Sequence, residues 1–245
     1  MRRTRQIVAV LIFAAWAVPH AIARDTTLID GIHGEDDRKL VDSSKAPWSA
    51  VGRVNIKGYR KRRHCTGTLV KPNKVITAAH CLVDSETKQP FSEDRIFFLA
   101  GLEQGEHREL GQGECVSFLN QSGMPYSSYK DDVALITLTE SLTSPPLTVL
   151  TRAGENGEGL VHAGYTRDRP FSLAADDTCS LVSQSDGMWL SDCDTNFGAS
   201  GGPVMVLDER QLRIGGIMIG YTSSEFSLAL PHKTWAHLLN QSNCQ

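Results

Sequence analysis

Residues 131–136 read DDVALI, which is the clearest strand signal in the chain. Its residues 133–136 are apolar on both faces, which is typical of a strand buried between two packed layers. Similar apolar stretches, many of them β-branched and all too short for helices, recur between turn residues along the chain. They lie at residues 51–56, 68–70, 75–77, 96–99, 133–138, 160–163, 187–190, 204–207 and 212–220. Short strands bounded by turns at regular intervals predict an all-β chain, built as a sandwich or a barrel.

Few other elements are predicted along the 245 residues, which suit one large β domain or two small barrels. The one helix indicated by the pattern is short and lies near the end, where Trp235, Leu238 and Leu239 share a face. Residues 141–158 have no strand pattern and predict a crossover between two halves. Residues 24–46 form a polar, acidic lead-in, and their pattern supports no prediction of secondary structure.

The beginning of the chain predicts export. Residues 1–5 are basic, residues 7–18 form an apolar run, and the AIA at 21–23 supplies the small residues that a signal peptidase requires. A membrane anchor is the alternative, but the apolar run is shorter than the ~20 residues that span a bilayer. We therefore expect cleavage after Ala23, a secreted or periplasmic mature protein, and no stable membrane anchor after cleavage.

The overall charge bears on which classes of partner to expect. The formal net charge is −3, which gives no reason to expect a nucleic acid or an anionic membrane as partner. One basic cluster stands out, at residues 57–63, and we interpret it as the solvated tip of a hairpin.

Six cysteines form an even set, which in an exported chain indicates disulfide bonds. Their spacing sets two pairs apart from the many possible pairings, and neither pair has the C-x-x-C spacing of a zinc site. The two pairs are Cys65 with Cys81 and Cys179 with Cys193. Cys115 and Cys244 remain, so their pairing is an inference by elimination.

Three segments carry side chains that together serve nucleophilic catalysis. His80 follows a strand, Asp132 directly precedes the buried strand, and Ser200 lies in the glycine-rich loop GASGGP at 198–203. A serine hydroxyl needs a base within hydrogen-bond reach, and an imidazole suits that task. A buried carboxylate on the other ring nitrogen then holds the required tautomer. Each segment alone has a structural explanation, but their joint occurrence predicts a catalytic triad. Asp132 is preferred to Asp131 because it directly precedes the strand.

The glycines around Ser200 have a chemical reason. Attack by the hydroxyl creates an oxyanion, which is stabilised by converging backbone N–H donors. Positions without side chains let the loop take the necessary conformation and let substrate approach. We expect Gly198 and Ser200 to be the two donors.

TAAHC, DVAL and GASGGP, in this order, resemble the signature of trypsin-like serine proteases of the chymotrypsin family. CTGTL at 65–69 and DCDT at 192–195 are especially similar to secreted bacterial members. The resemblance implies two packed six-stranded antiparallel β-barrels, residues 47–145 and 146–245, with the triad at their junction and a short C-terminal helix. It also implies that the Cys65–Cys81 disulfide closes the histidine loop.

The resemblance further implies a monomeric endopeptidase that acts on proteins or peptides through an acyl-enzyme, with no cofactor and no metal. The alternative is a catalytically silent, protease-like binding or regulatory protein. Such proteins usually lose a triad member, and this chain keeps all three.

Two positions concern activation and specificity. In animal trypsins an aspartate before the nucleophile pairs with a newly formed N-terminal ammonium group, whereas here that residue is Ala199. We therefore expect the loop to form without that pair or through another N-terminal contact.

By resemblance Asp194 forms the floor of the primary pocket, with Thr195 and Tyr221 also binding substrate, which favours cleavage after Arg or Lys. The alternative is that Asp194 braces the loop through backbone N–H groups or a nearby arginine, and Tyr221 could narrow the pocket.

Overall fold

The computed structural model describes residues 30–56, 63–120, 125–222 and 226–241. The predicted signal peptide, nearly all of the basic cluster and the Cys115–Cys244 pairing lie wholly or partly outside these residues. Among the described residues, no helix has the length and apolar character that crossing a membrane requires.

The described residues form fourteen strands and one short α-helix. The elements are β1 (Lys39–Leu40), β2 (Val51–Ile56), β3 (His64–Lys71), β4 (Lys74–Thr77), β5 (Ile96–Ala100), β6 (Glu109–Phe118), β7 (Ala134–Leu138), β8 (Leu160–Gly164), β9 (Ala174–Asp176), β10 (Leu181–Ser185), β11 (Met188–Ser191), β12 (Pro203–Asp208), β13 (Gln211–Tyr221), β14 (Ser227–Pro231) and α1 (His232–Trp235). The prediction of a mostly β architecture with a short C-terminal helix is confirmed.

The first half is a closed antiparallel barrel with the strand order β2-β3-β4-β7-β6-β5. All five residues of β7 are buried, as its apolar sequence predicted. Leu69, Ile76, Phe98 and Leu135 are among the largest side chains that it buries completely. The closed barrel leaves no unpaired edge strand, and it gives the segments after β4 and before β7 a rigid base.

The sequence pattern did not predict β6, although this strand has ten residues. Two of its buried positions are Gly111 and Gly113, so the buried face has no apolar periodicity. A Cβ atom on Gly111 would lie 2.7 Å from the side chain of Leu138. A larger residue is therefore excluded where β6 packs against the interior. Because glycines occupy these positions, the sequence of β6 lacks the apolar alternation that would have predicted a strand.

The second half is a sheet of eight strands in the order β1-β9-β8-β12-β13-β14-β11-β10, which curls into a half-barrel. It therefore differs in detail from the closed six-stranded barrel that was predicted. The lead-in supplies the extra edge strand, because Lys39 and Leu40 pair with Ala175 and Ala174. This strand occupies one edge of the sheet, while β10 forms the other edge.

The segment at 141–158 has contacts with both halves. Leu142 N and Leu147 N donate to the carbonyls of Pro72 and Leu69, and Leu150 N donates to the carbonyl of Ile214 in β13. The boundary near residue 145 stays a prediction.

Candidate active site

The barrel brings His80 and Asp132 together through two neighbouring strands. Thr77 at the end of β4 lies opposite Ala134 at the start of β7. His80 follows β4 in a short 3-10 helix, Ala79–Leu82, and Asp132 lies just ahead of β7. Antiparallel pairing therefore places two residues that are 52 positions apart at the same rim of the barrel.

Asp132 uses both carboxylate oxygens to hold His80. Its Oδ2 lies 2.7 Å from Nδ1 of the ring, and its Oδ1 accepts the backbone N–H of His80 at 2.8 Å. The Asp132 side chain is 3% exposed and the His80 side chain is 25% exposed. An ionised carboxylate only accepts hydrogen bonds, so Nδ1 carries a proton and Nε2 is the nitrogen left to act as a base.

The neighbouring Asp131 has a different task. Its side chain accepts the N–H groups of Ser127 and Ser128 and a bond from the amide of Asn120, and it caps the 3-10 helix Tyr129–Asp131. Burial raises the pKa of Asp131, but these hydrogen bonds outweigh burial and lower it overall. The carboxylate of Asp131 thus fixes the loop, whereas that of Asp132 holds His80.

Ser200 lies in a loop that fits only with glycine at its next position. Gly201 has φ +85°, and a Cβ there would lie 2.1 Å from Thr77 Oγ1 and 2.2 Å from the carbonyl oxygen of Thr66. Its N–H donates to the carbonyl of Met218 at 2.7 Å. The loop is therefore pressed between the first barrel and strand β13 with no space for a side chain.

Thr66 joins the serine loop, residues 198–203, to the barrel, a role that the sequence did not indicate. Its N–H donates to the carbonyl of Ser200 and its hydroxyl to the carbonyl of Gly198, both at 2.9 Å. The same hydroxyl accepts the N–H of Tyr165, and the Thr66 carbonyl accepts the hydroxyl of Thr77. Thr66 is completely buried. Complete burial with every polar atom hydrogen-bonded indicates that Thr66 fixes the loop to the barrel. Both features are visible only in the structure.

Gly198, an expected oxyanion donor, has a backbone conformation and surroundings that require glycine. Its φ is +97°, and a Cβ there would lie 2.6 Å from both His64 Nε2 and the carbonyl oxygen of Tyr165. Within the part of the chain that the structure describes, neither Gly198 N–H nor Ser200 N–H has an acceptor. These donors are therefore available to a ligand in the cleft.

His80 and Ser200 line one cleft with a volume of about 1190 Å³. Thr195 and Tyr221 also line it, whereas Asp194 is not among the described residues that do. The Ser200 hydroxyl makes no hydrogen bond with another residue in the described ranges. Hydrogen bonds of this kind are often long in unliganded active sites and shorten when substrate binds.

A family model described as Trypsin matches residues 39–234. The chain belongs to the trypsin family. The proclotting enzyme of Tachypleus tridentatus is 26% identical over 137 residues, a match that covers 51% of this chain and 36% of that relative. The chain thus spans about a third of the length of that relative.

A solved structure of a Glu endopeptidase in complex with MPD is similar in fold. The TM-score is 0.73 at 17% sequence identity, and the match covers 86% of this chain and all of that one. This likeness shows a chymotrypsin-like fold, in agreement with the trypsin-family match.

Asp194, which family resemblance would place at the floor of the primary pocket, binds the lead-in. Its Oδ1 accepts the N–H of His33 at 2.7 Å and its Oδ2 accepts the N–H of Asp37 at 2.8 Å. Burial, with Asp176 and Asp36 nearby, raises the pKa of Asp194, and the two N–H groups oppose that shift. The adjacent Thr195 N–H donates to the carbonyl of Gly31. These bonds match the alternative in which Asp194 braces the loop.

His162 supports the cleft from behind Thr195. Its Nδ1 lies 3.1 Å from the carbonyl oxygen of Pro203, and its Nε2 lies 3.3 Å from Thr195 Oγ1. A carbonyl only accepts, so Nδ1 carries the proton and Nε2 accepts from the Thr195 hydroxyl. Burial lowers the pKa of His162 to about 4, although the Pro203 carbonyl opposes this.

Two groups of side chains in the described ranges have donor atoms close enough for one metal ion. One contains His80 and the other contains Asp176. In each group the other two members are cysteines joined to each other, Cys65 to Cys81 and Cys179 to Cys193. A disulfide sulfur does not supply a thiolate ligand, so each group keeps a single donor residue.

We predict that Asp194→Ala destabilises the protein and loosens the lead-in. The N–H groups of His33 and Asp37 lose their acceptors, which should lower the free energy of unfolding by about 1–3 kcal/mol. Urea denaturation measures that loss, and hydrogen exchange should show faster exchange at both amides. Asp177→Ala is the control, because among the described residues the one partner of its side chain is Lys39, in an exposed ion pair. Unchanged stability and unchanged exchange would contradict the bracing role.

Protonation of His162 should destabilise the fold. Its folded pKa lies below the unfolded value of 6.5, so the unfolded chain binds the proton first as the pH falls from about 6.5 to about 4. Between about pH 7 and pH 4.5 the wild-type protein should lose on the order of 2 kcal/mol more stability than His162→Gln. Urea denaturation at both pH values checks this, and equal losses in the two proteins would refute it.

Proposed function

We propose that this chain is a serine endopeptidase that cuts peptide bonds through an acyl-enzyme. The observation that carries the proposal is the double hold of Asp132 on His80, at the edge of a cleft that Ser200 also lines. The trypsin-family membership supports the same activity.

In the proposed mechanism the Ser200 hydroxyl attacks the carbonyl carbon of the scissile bond. His80 takes the hydroxyl proton at Nε2 and later delivers it to the leaving amine, while Asp132 keeps the ring oriented and stabilises its charged form. The negative charge that develops on the carbonyl oxygen is bound by the N–H groups of Gly198 and Ser200. Water, activated by the same histidine, then releases the acyl group from Ser200.

We also make proposals about where the protein acts and after which residues it cuts. We infer a secreted or periplasmic monomer that acts on protein or peptide substrates, because the sequence predicts a signal peptide and the described part contains two disulfides. Similarity to bacterial members likewise rests on sequence motifs alone. Cleavage after Arg or Lys stays a prediction from family resemblance, and the bonds of Asp194 to the lead-in weigh against it.

A fluorophosphonate separates an active peptidase from a silent, protease-like binding protein. We expect it to label Ser200, with labelling lost in Ser200→Ala and reduced in His80→Ala. Peptide hydrolysis should fall by on the order of 10⁶ in kcat for Ser200→Ala and by about 10⁴ for Asp132→Asn. Ser85 also lines the cleft, so Ser85→Ala is the matched control and should still be labelled. Absence of labelling in the folded wild-type protein would favour the binding protein.

A further inference from the structure

The cleft beside Ser200 is lined by more cationic than acidic side chains. Among the described residues that line it, Asp132 is the one acidic side chain, and it is committed to His80. The cationic lining residues are Arg63 and Arg167. Neither guanidinium forms an ion pair with a residue in the described ranges. Two unpaired cations and no available anion favour a negatively charged ligand.

Arg167 is held in place by the residue next to the oxyanion donor. Its guanidinium lies over the ring of Phe197, 4.1 Å from the ring centroid, and the backbone N–H of Arg167 donates to the carbonyl of Phe197 at 2.6 Å. Phe197 directly precedes Gly198 and is 46% exposed. The stacked guanidinium keeps its edge donors free while the ring restricts its motion, an arrangement that suits binding a carboxylate.

The Phe197 ring is itself supported within the cleft. It packs edge-to-face against Tyr221 with the ring centroids 5.8 Å apart. Burial raises the pKa of Tyr221, Asp30 contributes to that rise, and Arg167 opposes it. The charge of Arg167 therefore reaches the cleft wall. Asp30 lies near the same tyrosine but is not among the cleft-lining residues.

Arg63 acts on the His80 side of the cleft. Burial raises the pKa of Tyr126 there, the charge of Asp132 adds to that rise, and Arg63 opposes it. Tyr126 lies edge-on to His80, with the ring centroids 6.5 Å apart. One arginine therefore acts beside the histidine and the other beside the serine loop.

We propose that Arg167, presented on Phe197, together with Arg63, makes this cleft select peptides that carry a carboxylate side chain close to the bond that is cut. This inference rests on the proposed peptidase function and deepens it by naming a substrate class. The two arginines are specificity determinants, since their cationic groups engage the substrate and take no part in the bond-breaking step.

The test compares matched peptides and measures kcat/KM with the full chain. In a peptide that the enzyme cuts, each position from P3 to P3′ is set in turn to Glu or to its neutral isostere Gln. We expect the Glu:Gln ratio of kcat/KM to exceed one at one or more of these positions and to decline as ionic strength rises. Arg167→Gln should lower that ratio about 3- to 5-fold, and the double variant with Arg63→Gln should lower it further.

Two further variants separate a charge effect from a packing effect. Arg167→Lys should retain part of the ratio, because the positive charge remains although the planar fork is lost. Arg95→Gln is the matched control, since Arg95 stacks on Phe91 at 5.6 Å but does not line the cleft, and it should leave the ratio unchanged.

The outcomes also distinguish this inference from the proposed function. If peptides are cut but the ratio never exceeds one, or if Arg167→Gln leaves it unchanged, the acidic preference is overturned and the peptidase function stands. If no peptide is cut and a fluorophosphonate leaves Ser200 unlabelled, both are overturned.

Discussion

The two hydrogen bonds between Thr66 and the serine loop are the interaction on which the rest of the site depends. Thr66 belongs to a strand of the first barrel, whereas Ser200 and Gly198 belong to the second half. The barrel holds His80 and Asp132 at its rim, so the proposed triad requires that the serine loop be fixed to the same barrel. Gly201 permits this close approach because any side chain there would collide with the barrel backbone.

The lead-in is part of this construction. Ala199 stands where animal trypsins carry an aspartate, so an N-terminal ammonium group finds no carboxylate there. Instead Asp194 binds two N–H groups of the lead-in. Arg38, only 6% exposed, pairs with Asp36 and with Asp168, which joins the lead-in to the loop beside the cleft. Asp194 thus binds backbone N–H groups of the chain itself, whereas the aspartate at a pocket floor would bind a basic side chain of the substrate.

Sequence reasoning reached the all-β fold because most strands have a clear apolar pattern, and β7 is the clearest example. It missed β6, where glycines occupy buried positions that a side chain would overfill. It also named His80 and Asp132, which lie 2.7 Å apart in the structure. The role of Thr66 could not be read in advance, and the sequence could not choose between the two roles it offered for Asp194. Each residue binds backbone groups more than 100 residues away in the chain. Local patterns carry no information about such partners.

The most direct test of this account is a crystal structure of the protein with a phosphonate bonded to Ser200 Oγ. We expect the phosphonyl oxygen to accept the N–H groups of Gly198 and Ser200. We also expect the His80 ring to face Ser200 Oγ while its bond to Asp132 is retained. A phosphonyl oxygen turned into solvent, or a histidine ring turned away from the serine, would contradict the account.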